Sequence, residues 1–483
     1  MKIRVALIYP APYEIGIANL GFNTVFRLIN STEGFICDRI FYNGRVINID
    51  STREIKEYHI LALSISFLTD YLKIPEIIAS AGIPIFSRER KEIYPLVIGG
   101  GNAFSINPEP VADLFDAIHI GDAEGVMDKM LLEIKKENDK WKLLENLNEI
   151  PSIYVPSLNT PRSRKPVFKN RYEISTPAWS EDGGSVFKNA GLVEIGRGCR
   201  WKCSFCPIGF IHAPPRFYDV EAILQSIRKT KKQRIGLIAP VVPDHPSIKE
   251  LLKELKKEGY KITTSSWRAD LYDPELFELL KDGQKTLTIA PETGSDRLRK
   301  LIGKNITNEK IIEGVKCAKK IFKSLKVYFI IGLPGERDED VKEIVRLSQE
   351  IAKTFGKKIR LSVNPFVPLP HTPLMNENFS PEEILRKMEF LRKGIKKFAV
   401  LKSKSINEAH LEFVLAWSGR EILKKIIENP STRKFELKER INPGFIEYPF
   451  NERNIESIIK KGNPPCPSGC NSCLLNTCKI FKP

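Results

Sequence analysis

An alternation of short apolar runs with longer helical stretches constrains the fold of this 483-residue chain more than any other feature. Apolar runs bounded by Gly, Pro, Ser or Asn are typical of strands that are buried on both faces of a parallel sheet. The runs in the first part of the chain are Ile3–Tyr9, Ile60–Ser66, Leu96–Gly99 and Ala117–Gly121. They predict a doubly wound, Rossmann-like α/β domain over residues 1–150.

The loops that follow these runs are the candidate ligand-binding segments of that domain. Ligands of doubly wound sheets bind beyond the carboxyl ends of the strands. A run of three glycines in one loop permits close approach of the backbone to a bulky cofactor, although a tight turn also accounts for it. The candidate residues are Tyr9, Pro10, Ser64, Gly99, Gly100, Gly101 and Gly121.

The same alternation resumes over residues 188–400, after a Pro-, Ser- and Arg-rich stretch at 151–187 that we interpret as a linker. Six strands separated by helices predict a partial (β/α)6 barrel, whose active residues come from the loops after the strands. Residues 401–483 are predicted to be a C-terminal helical extension with a small cysteine-rich end. The six runs are Leu192–Ile195, Arg234–Ile238, Lys261–Ser265, Thr286–Ile289, Lys326–Ile331 and Lys358–Val363.

The formal net charge of the chain is +17, with 76 Lys and Arg against 59 Asp and Glu. Such an excess is typical of nucleic-acid partners. It is also typical of the Lys/Glu-rich surfaces of thermophilic proteins. We find no apolar run long enough to span a bilayer and no signal peptide, which predicts a cytoplasmic protein with reduced thiols.

Three cysteines, Cys199, Cys203 and Cys206, occupy the loop after the first strand of the predicted barrel, with C-x3-C-x2-C spacing. Thiolates on one short loop are a usual way to hold a four-iron cluster, and three of them leave one iron open for chemistry. A structural zinc site is the main alternative, but such sites need four ligands, and only His212 lies near enough in sequence to be the fourth. Three cysteines also cannot all pair as disulfides.

A second cysteine group ends the chain. Four cysteines can saturate one metal centre, and we expect a closed [4Fe–4S] cluster, with structural zinc as the alternative. Cys37 and Cys317 lie in apolar surroundings and are expected to be core residues. The four candidate ligands are Cys466, Cys470, Cys473 and Cys478.

The cysteine loop and its predicted barrel resemble the radical SAM superfamily, including the aromatic Phe205 before the last cysteine. The resemblance implies that the open iron binds S-adenosylmethionine (SAM) and that an electron from the cluster cleaves it to a 5′-deoxyadenosyl radical. It also implies an external electron donor such as flavodoxin or ferredoxin. The residues that match SAM-contacting segments are Phe205, Ala239, Pro240, Arg268, Glu292, Ser295, Gly332, Gly335 and Asn364.

Two of these matches are incomplete. Relatives carry Gly-Gly-Glu after the second strand, whereas this chain has Ile238-Ala239-Pro240, so a contact with the SAM amino group there is open. Arg268 suits the SAM carboxylate, and a salt bridge within the protein suits it equally.

The first domain resembles the cobalamin-binding-like domains that precede radical SAM cores in a little-characterised group. The segments Tyr9–Gly16, Ala18–Phe22, Asn107–Pro110 and Gly121–Glu124 carry this resemblance. The Asp-x-His-x-x-Gly motif that supplies a histidine to cobalt is absent, and His59 and His119 are expected in the core. Cobalamin bound without a protein ligand and a domain that has lost the cofactor both stay open.

Three functions follow as hypotheses. The first is cobalamin-dependent methylation of an unactivated carbon. The second is sulfur insertion, as in methylthiotransferases, or another radical modification of tRNA, with the C-terminal cysteines as the auxiliary centre. The third is a non-enzymatic binding protein, against which the intact cysteine triad argues. Protein, RNA and small molecules all stay open as substrates.

Overall fold

The computed structural model describes residues 2–158, 179–180, 187, 189–265, 267–428, 435–437, 439–442 and 446. These residues form two compact units. The first contains the described residues up to Asn189 together with those from Val414 onward, and the second contains Ala190–Phe413. No helix among the described residues is long and apolar enough to cross a membrane. The predicted linker at 151–187 lies largely outside the described residues, as does the cysteine-rich end.

The first unit is built on a seven-stranded sheet with the order β3-β2-β1-β4-β5-β6-β7. The five neighbouring strands β2, β1, β4, β5 and β6 run parallel to one another. The edge strands β3 and β7 pair antiparallel with β2 and β6. Because strand order reverses between β1 and β4, the loops after these two strands diverge and leave a crevice at their carboxyl ends. The strands are β1 (Ile3–Tyr9), β2 (Phe35–Tyr42), β3 (Val46–Asn48), β4 (Ile60–Ser64), β5 (Leu96–Gly100), β6 (Ala117–His119) and β7 (Ile153–Tyr154).

Helices of this unit cover the sheet, whose central strands bury consecutive side chains. In α2, Asn19 caps the first turn by accepting a hydrogen bond from the backbone nitrogen of Phe22 at 2.8 Å. The helices are α1 (Tyr13–Gly16), α2 (Leu20–Ser31), α3 (Ile74–Ser80), α4 (Asn102–Ile106), α5 (Met127–Lys136) and α6 (Lys140–Asn148). The predicted doubly wound α/β domain is thus confirmed.

The sequence did not predict strand β2, which carries two adjacent charges, Asp38 and Arg39. Asp38 is buried, and its carboxylate accepts hydrogen bonds from Ser51 and Tyr58 at 2.5 Å and pairs with Arg53 at 2.7 Å. These partners satisfy a charge that would otherwise be costly inside a sheet. Asp38 and Arg39 therefore interrupt the apolar pattern of the sequence, but the strand continues through them.

The second unit contains the barrel strands in chain order. Strands β9, β12 and β13 are parallel neighbours, as are β14, β15, β16 and β17. A parallel bridge between Trp267 and Ile289 joins the two groups. Strand β8 (Trp179–Ser180) belongs to the first unit. The strands of the second unit are β9 (Ala190–Glu194), β10 (Gly196–Arg197), β11 (Arg216–Phe217), β12 (Arg234–Ile238), β13 (Lys261–Thr264), β14 (Thr286–Glu292), β15 (Ser324–Ile331), β16 (Ile359–Pro365) and β17 (Ala399–Ser403).

All six predicted barrel strands are present, which confirms the partial barrel, and β17 adds a seventh parallel strand. It was not predicted because only Ala399 of its five residues is buried. The helices of this unit are α7 (Ile208–Ile211), α8 (Val220–Lys229), α9 (Ile248–Lys257), α10 (Pro274–Leu280), α11 (Asp296–Leu301), α12 (Asn308–Lys319), α13 (Asp338–Phe355), α14 (Pro381–Ile395) and the first part of α15 (Ile406–Trp417). Helix α16 (Ile422–Glu428) belongs to the first unit.

The segment after the barrel returns to the first unit. The side-chain amide of Asn107 donates hydrogen bonds to the carbonyls of Leu415 and Ser418 at 3.1 and 2.9 Å. Arg420 pairs with Glu109 at 3.1 Å and with Asp113 at 2.7 Å. The chain therefore leaves the second unit within α15, so the end of the barrel and the end of the second unit do not coincide.

Candidate active site

The cysteine loop begins where β9 ends, at the carboxyl edge of the barrel strands. Its entry is a short antiparallel pair of β10 with β11, followed by a turn at Gly198. Gly198 has φ of +72°, and a Cβ there would lie 2.3 Å from the carbonyl oxygen of His212. Only glycine fits this position, so the local sequence fixes how the chain enters the loop.

Backbone hydrogen bonds hold the loop against two later segments of the same unit. The nitrogen of Ser204 donates to the carbonyl of Ile302 at 2.9 Å, and its carbonyl accepts from the nitrogen of Leu374 at 3.3 Å. Phe205 packs on a buried cluster of Leu298, Ile302, Leu333, Phe366 and Leu374. The cysteines are thus presented on a loop that is braced on both sides.

The three thiols are free of disulfides, and Cys203 is buried. Burial raises the pKa of Cys199 and of Cys206 to about 12, and it also raises the pKa of Cys203. Thiolates in this setting need a compensating cation, which a metal centre provides. The donor set therefore fits an iron–sulfur cluster with three thiolate ligands.

Among the described residues, no three His, Cys, Asp or Glu side chains are grouped to hold a single metal ion. Ligands of one zinc ion must all lie about 2.0–2.3 Å from one point. Thiolates of a four-iron cluster bind different irons and need no such common point.

Arg268, in the loop that follows β13, lies beside the cysteine loop. Its guanidinium carbon stands 3.7 Å from the centroid of the Trp201 ring, and its Nε is 2.8 Å from a carboxylate oxygen of Asp270. Its positive charge lowers the pKa of the Cys203 thiol, although burial has the larger and opposite effect. The structure thus pairs Arg268 within the protein and places its charge near the cysteines.

Trp201 itself is fixed from its polar edge. Its indole nitrogen donates to Asp244 at 2.7 Å, and Asp244 also pairs with Arg200 at 3.0 Å. Burial raises the pKa of Asp244 to about 6, against the opposing effect of these partners. Trp201 and Asp244 were not among the predicted site residues; the signal in the sequence was an aromatic between two cysteine ligands.

Glu292 ends β14 in the left-handed region, with φ of +69°, after a shift in strand register. Its carboxylate pairs with the ammonium of Lys304 at 2.7 Å, and both side chains are nearly buried. The charges of Glu292 and Lys304 act in opposite directions on the pKa of Cys203. A non-glycine residue at such a φ is strained and often functional. Sequence reasoning missed Lys304 because it lies beyond a helix with no local motif.

Ser295 and the two predicted glycines of the next loop are structural in this fold. Ser295 caps α11 and its hydroxyl donates to Asp340. Gly332 and Gly335 both have positive φ, and the nitrogen of Gly332 donates to Glu336 at 2.8 Å. These residues shape the carboxyl edge between β14 and β15.

The remaining predicted SAM contacts lie at the same edge. Ala239 follows β12, and its carbonyl accepts from the Ser265 hydroxyl at 3.0 Å. Pro240 is exposed. Asn364, near the end of β16, accepts a hydrogen bond from the backbone nitrogen of Lys404 at 3.4 Å. Parallel strands therefore bring all the predicted barrel residues to one edge, while their contacts with SAM stay predictions.

In the first unit, four residues stand in one row across the carboxyl ends of neighbouring strands. Ser64 of β4 lies opposite Gly100 of β5. The register of β1 with β4 places Tyr9 beside Ser64, and the register of β5 with β6 places His119 beside Gly100. The Tyr9 hydroxyl donates to Ser66 at 3.1 Å. Burial is the main cause that raises the pKa of Tyr9. Three members of the row were predicted from the sequence, and His119 was expected only as a core residue.

The row has an opening at Gly100. A Cβ at Gly100 would meet only the Cβ of His119, at 4.0 Å, whereas one at Gly101 would lie 2.4 Å from the carbonyl of Ile65. The buried Nε2 of His119 has no hydrogen-bond partner among the described residues. An open position beside an unsatisfied imidazole fits a bulky ligand above Gly100.

Three other predicted residues surround this edge. A Cβ at Gly99 would lie 2.8 Å from the Phe104 ring, and Gly121 has φ of +111°. The carbonyl of Pro10 accepts from the ammonium of Lys73 at 2.6 Å. The predicted C-terminal ligands Cys466, Cys470, Cys473 and Cys478 lie outside the described residues.

Two family models match the chain: "Radical SAM proteins, N-terminal" over residues 21–156 and "Radical SAM superfamily" over residues 193–348. An uncharacterized protein of Methanocaldococcus jannaschii is 31% identical over 449 residues, which cover 90% of this chain and 94% of that protein. A tRNA-2-methylthio-N(6)-dimethylallyladenosine synthase of Anaplasma phagocytophilum is 28% identical over 227 residues, which cover 41% of this chain and 50% of that enzyme.

Among solved structures, the chain is similar in fold to the radical S-adenosylmethionine methyltransferase TsrM from Kitasatospora setae. With tryptophan and a SAM analogue bound, TsrM gives a TM-score of 0.58 at 16% identity, covering 77% of this chain and 75% of TsrM. With cobalamin and a [4Fe–4S] cluster bound, the TM-score is 0.55 at 15% identity, with 78% and 74% covered.

Proposed function

Because the chain belongs to the radical SAM superfamily, we propose that this enzyme carries out cobalamin-dependent methylation of an unactivated carbon. One observation carries the proposal. The chain combines a braced three-cysteine loop with a parallel sheet whose carboxyl edge is open at Gly100. The first feature suits a cluster, and the second suits a large planar cofactor.

At the barrel, Cys199, Cys203 and Cys206 would hold the [4Fe–4S] cluster. The bound cluster supplies the electron that cleaves SAM. The burial of Cys203 keeps water from that side of the loop, which limits side reactions of a reactive species. Arg268, oriented by Trp201, and the Glu292–Lys304 pair put fixed charges of both signs beside this place, and these suit the carboxylate and amino groups of SAM.

In the first unit, Tyr9, Ser64, Gly100 and His119 would line the cobalamin site. Cobalamin supplies a carrier for the methyl group. The fold similarity to TsrM, which binds cobalamin, supports this assignment. An open position above Gly100 gives the cofactor room without a backbone clash.

Anaerobic reconstitution with iron, sulfide and hydroxocobalamin tests the proposal. We expect the desalted protein to retain corrinoid absorbance. Gly100→Ala should retain it as well, since a Cβ there meets only one atom at ordinary contact distance. Gly100→Leu should fill the opening and lose the corrinoid while its melting temperature stays close to that of Gly100→Ala. A wild-type protein that binds no cobalamin at saturating concentration contradicts the proposal.

Sulfur insertion into RNA is the second candidate. The similarity to the methylthio-adenosine synthase and the four C-terminal cysteines favour it. In that case the C-terminal centre would act as the auxiliary cluster. Methylthiolated nucleosides in tRNA treated with cobalamin-free enzyme would favour this candidate over methylation.

Both candidates need an external electron donor, for which we propose a flavodoxin or ferredoxin. We also propose a cytoplasmic location for the enzyme.

A further inference from the structure

We propose that the edge of the barrel opposite the cysteine loop is a docking surface for RNA. The loops at this edge follow the helices and precede the strands. Each of these loops, or the first residue of the strand that follows it, contributes an exposed lysine, and we call these six residues the lysine rim: Lys231, Lys261, Lys285, Lys323, Lys358 and Lys397. The inference does not depend on the proposed methylation.

Backbone hydrogen bonds join the rim loops in three pairs of neighbours. The nitrogen of Lys261 donates to the carbonyl of Gln233, and that of Lys323 donates to the carbonyl of Lys285, both at 2.9 Å. The nitrogen of Ile359 donates to the carbonyl of Phe398 at 3.2 Å. With strands about 4.8 Å apart, six strand starts span about 24 Å, a length that can follow several consecutive phosphates.

The rim charge is not neutralised by nearby acids. Among the described residues, none of the six lysines has a carboxylate within 4.0 Å. The loops between these helices and strands contain only two acidic residues, Glu258 and Asp282. Glu258 pairs with Arg228 at 2.6 Å and Asp282 with Lys256 at 3.7 Å, so both already face other cations.

Lysines on the helix faces behave differently. Lys249 and Lys253 of α9, for example, both pair with Glu275. Such networks account for many of the basic residues without a partner molecule. The carboxyl ends of the helices also favour lysines near this edge, but that effect fades within one turn. Lys231, Lys358 and Lys397 lie within one turn of a helix end, whereas Lys261, Lys285 and Lys323 lie beyond that reach and remain as an unneutralised positive edge.

The chemistry of the rim favours RNA over protein or membrane. Lysine is depleted in protein–protein interfaces, whereas it is the usual contact of phosphate backbones. Surface binding to membranes adds apolar side chains that enter the lipid. The exposed large apolar side chains of the described residues, such as Phe67, Trp141 and Phe390, lie outside these loops. A predominantly basic edge matches a polyphosphate chain.

The test compares the reconstituted full chain with two fourfold variants of equal charge change. The rim variant is Lys285→Gln, Lys323→Gln, Lys358→Gln and Lys397→Gln. The control variant is Lys129→Gln, Lys136→Gln, Lys142→Gln and Lys424→Gln, all exposed residues of the first unit. Binding of bulk tRNA is measured by fluorescence anisotropy between about 50 and 200 mM KCl, where phosphate contacts dominate the salt dependence.

We expect the rim variant to bind tRNA at least about tenfold more weakly at low salt, with a log–log salt slope smaller by about 3. The control variant should bind within about twofold of the wild type, because its lysines lie elsewhere. Formation of 5′-deoxyadenosine should be unchanged in the rim variant, which shows that the barrel is folded. Should the fourfold variant fail to fold, the pairs Lys285→Gln/Lys323→Gln and Lys358→Gln/Lys397→Gln should each decrease the slope by about 1.5, half of the fourfold effect.

Equal tRNA binding by the rim and control variants overturns the proposal. So does rim-dependent binding of polyglutamate or of anionic phospholipid vesicles that equals the binding of tRNA, since the surface would then serve a protein or a membrane.

Discussion

The guanidinium of Arg268 stacks on the indole of Trp201, with 3.7 Å between the guanidinium carbon and the ring centroid. Trp201 lies between two cysteines of the cluster loop, and Arg268 lies in the loop that follows barrel strand β13. The stack therefore joins the loop that would hold the cluster to a residue that suits the SAM carboxylate. A buried cation–π contact of this kind contributes about 2 kcal/mol.

Removing the ring should release Arg268. We expect Trp201→Leu to weaken SAM binding by about tenfold, since about 1.4 kcal/mol corresponds to that factor. Trp201→Phe keeps an aromatic face and should lose less, although it also removes the hydrogen bond to Asp244. Equilibrium dialysis of the reconstituted variants measures the difference. Equal SAM affinity of the Leu and Phe variants would contradict the role given to the stack.

The Glu292–Lys304 pair should show the asymmetry of a buried ion pair. Lys304→Met leaves the Glu292 carboxylate buried without its cation and should cost about 3–5 kcal/mol of unfolding free energy. The double variant Glu292→Gln/Lys304→Met removes both charges and should recover much of that loss. Anaerobic urea unfolding provides the comparison, and an unrelieved loss in the double variant would show that the carboxylate is not the cause.

Gly198 should control cluster assembly through backbone geometry. Gly198→Ala adds a methyl group against the carbonyl of His212, so the loop cannot close and the iron content should fall towards zero. Gly44→Ala is a matched control, because Gly44 has a similar φ of +75° but open space around it. It should bear only the backbone penalty, about 1–2 kcal/mol, and bind iron normally. Normal iron content in Gly198→Ala would argue against a fixed loop.

His119 should make the stability of the first unit depend on pH. Burial lowers the pKa of His119 to about 4 from its ordinary value of 6.5. Between pH 6.5 and pH 4 the imidazole is protonated in the unfolded chain but stays neutral in the folded chain, so the unfolding free energy falls as the pH falls. The unfolding free energy of the wild type relative to His119→Gln should decrease by about 3 kcal/mol from pH 7 to pH 4.

His59→Gln serves as the control for that pH series. His59 is less buried, and its Nδ1 accepts a hydrogen bond from the backbone nitrogen of Arg4 at 2.9 Å. Its pKa is lowered as well, again by burial first, so the dependence should have the same sign but a smaller size. A flat difference for His119→Gln would mean that its imidazole is not buried in solution.

The sequence predicted the elements whose residues are consecutive and apolar, and it missed those held by distant partners. The six barrel strands and the cysteine loop followed from local patterns. Strand β2 was missed because Asp38 depends on Ser51, Arg53 and Tyr58, which only the fold brings together. Lys304 and the row position of His119 were missed for the same reason, since a buried ion pair and a strand register leave no local signal.

Anaerobic formation of 5′-deoxyadenosine tests the central claim most directly. Wild-type protein with a full cluster, SAM and a strong reductant should release it, and Cys203→Ala should release none, because two thiolates cannot hold the cluster in this loop. Matching melting temperatures would show that the variant is folded. A wild-type protein that contains the cluster, binds SAM and still releases no 5′-deoxyadenosine would contradict the account.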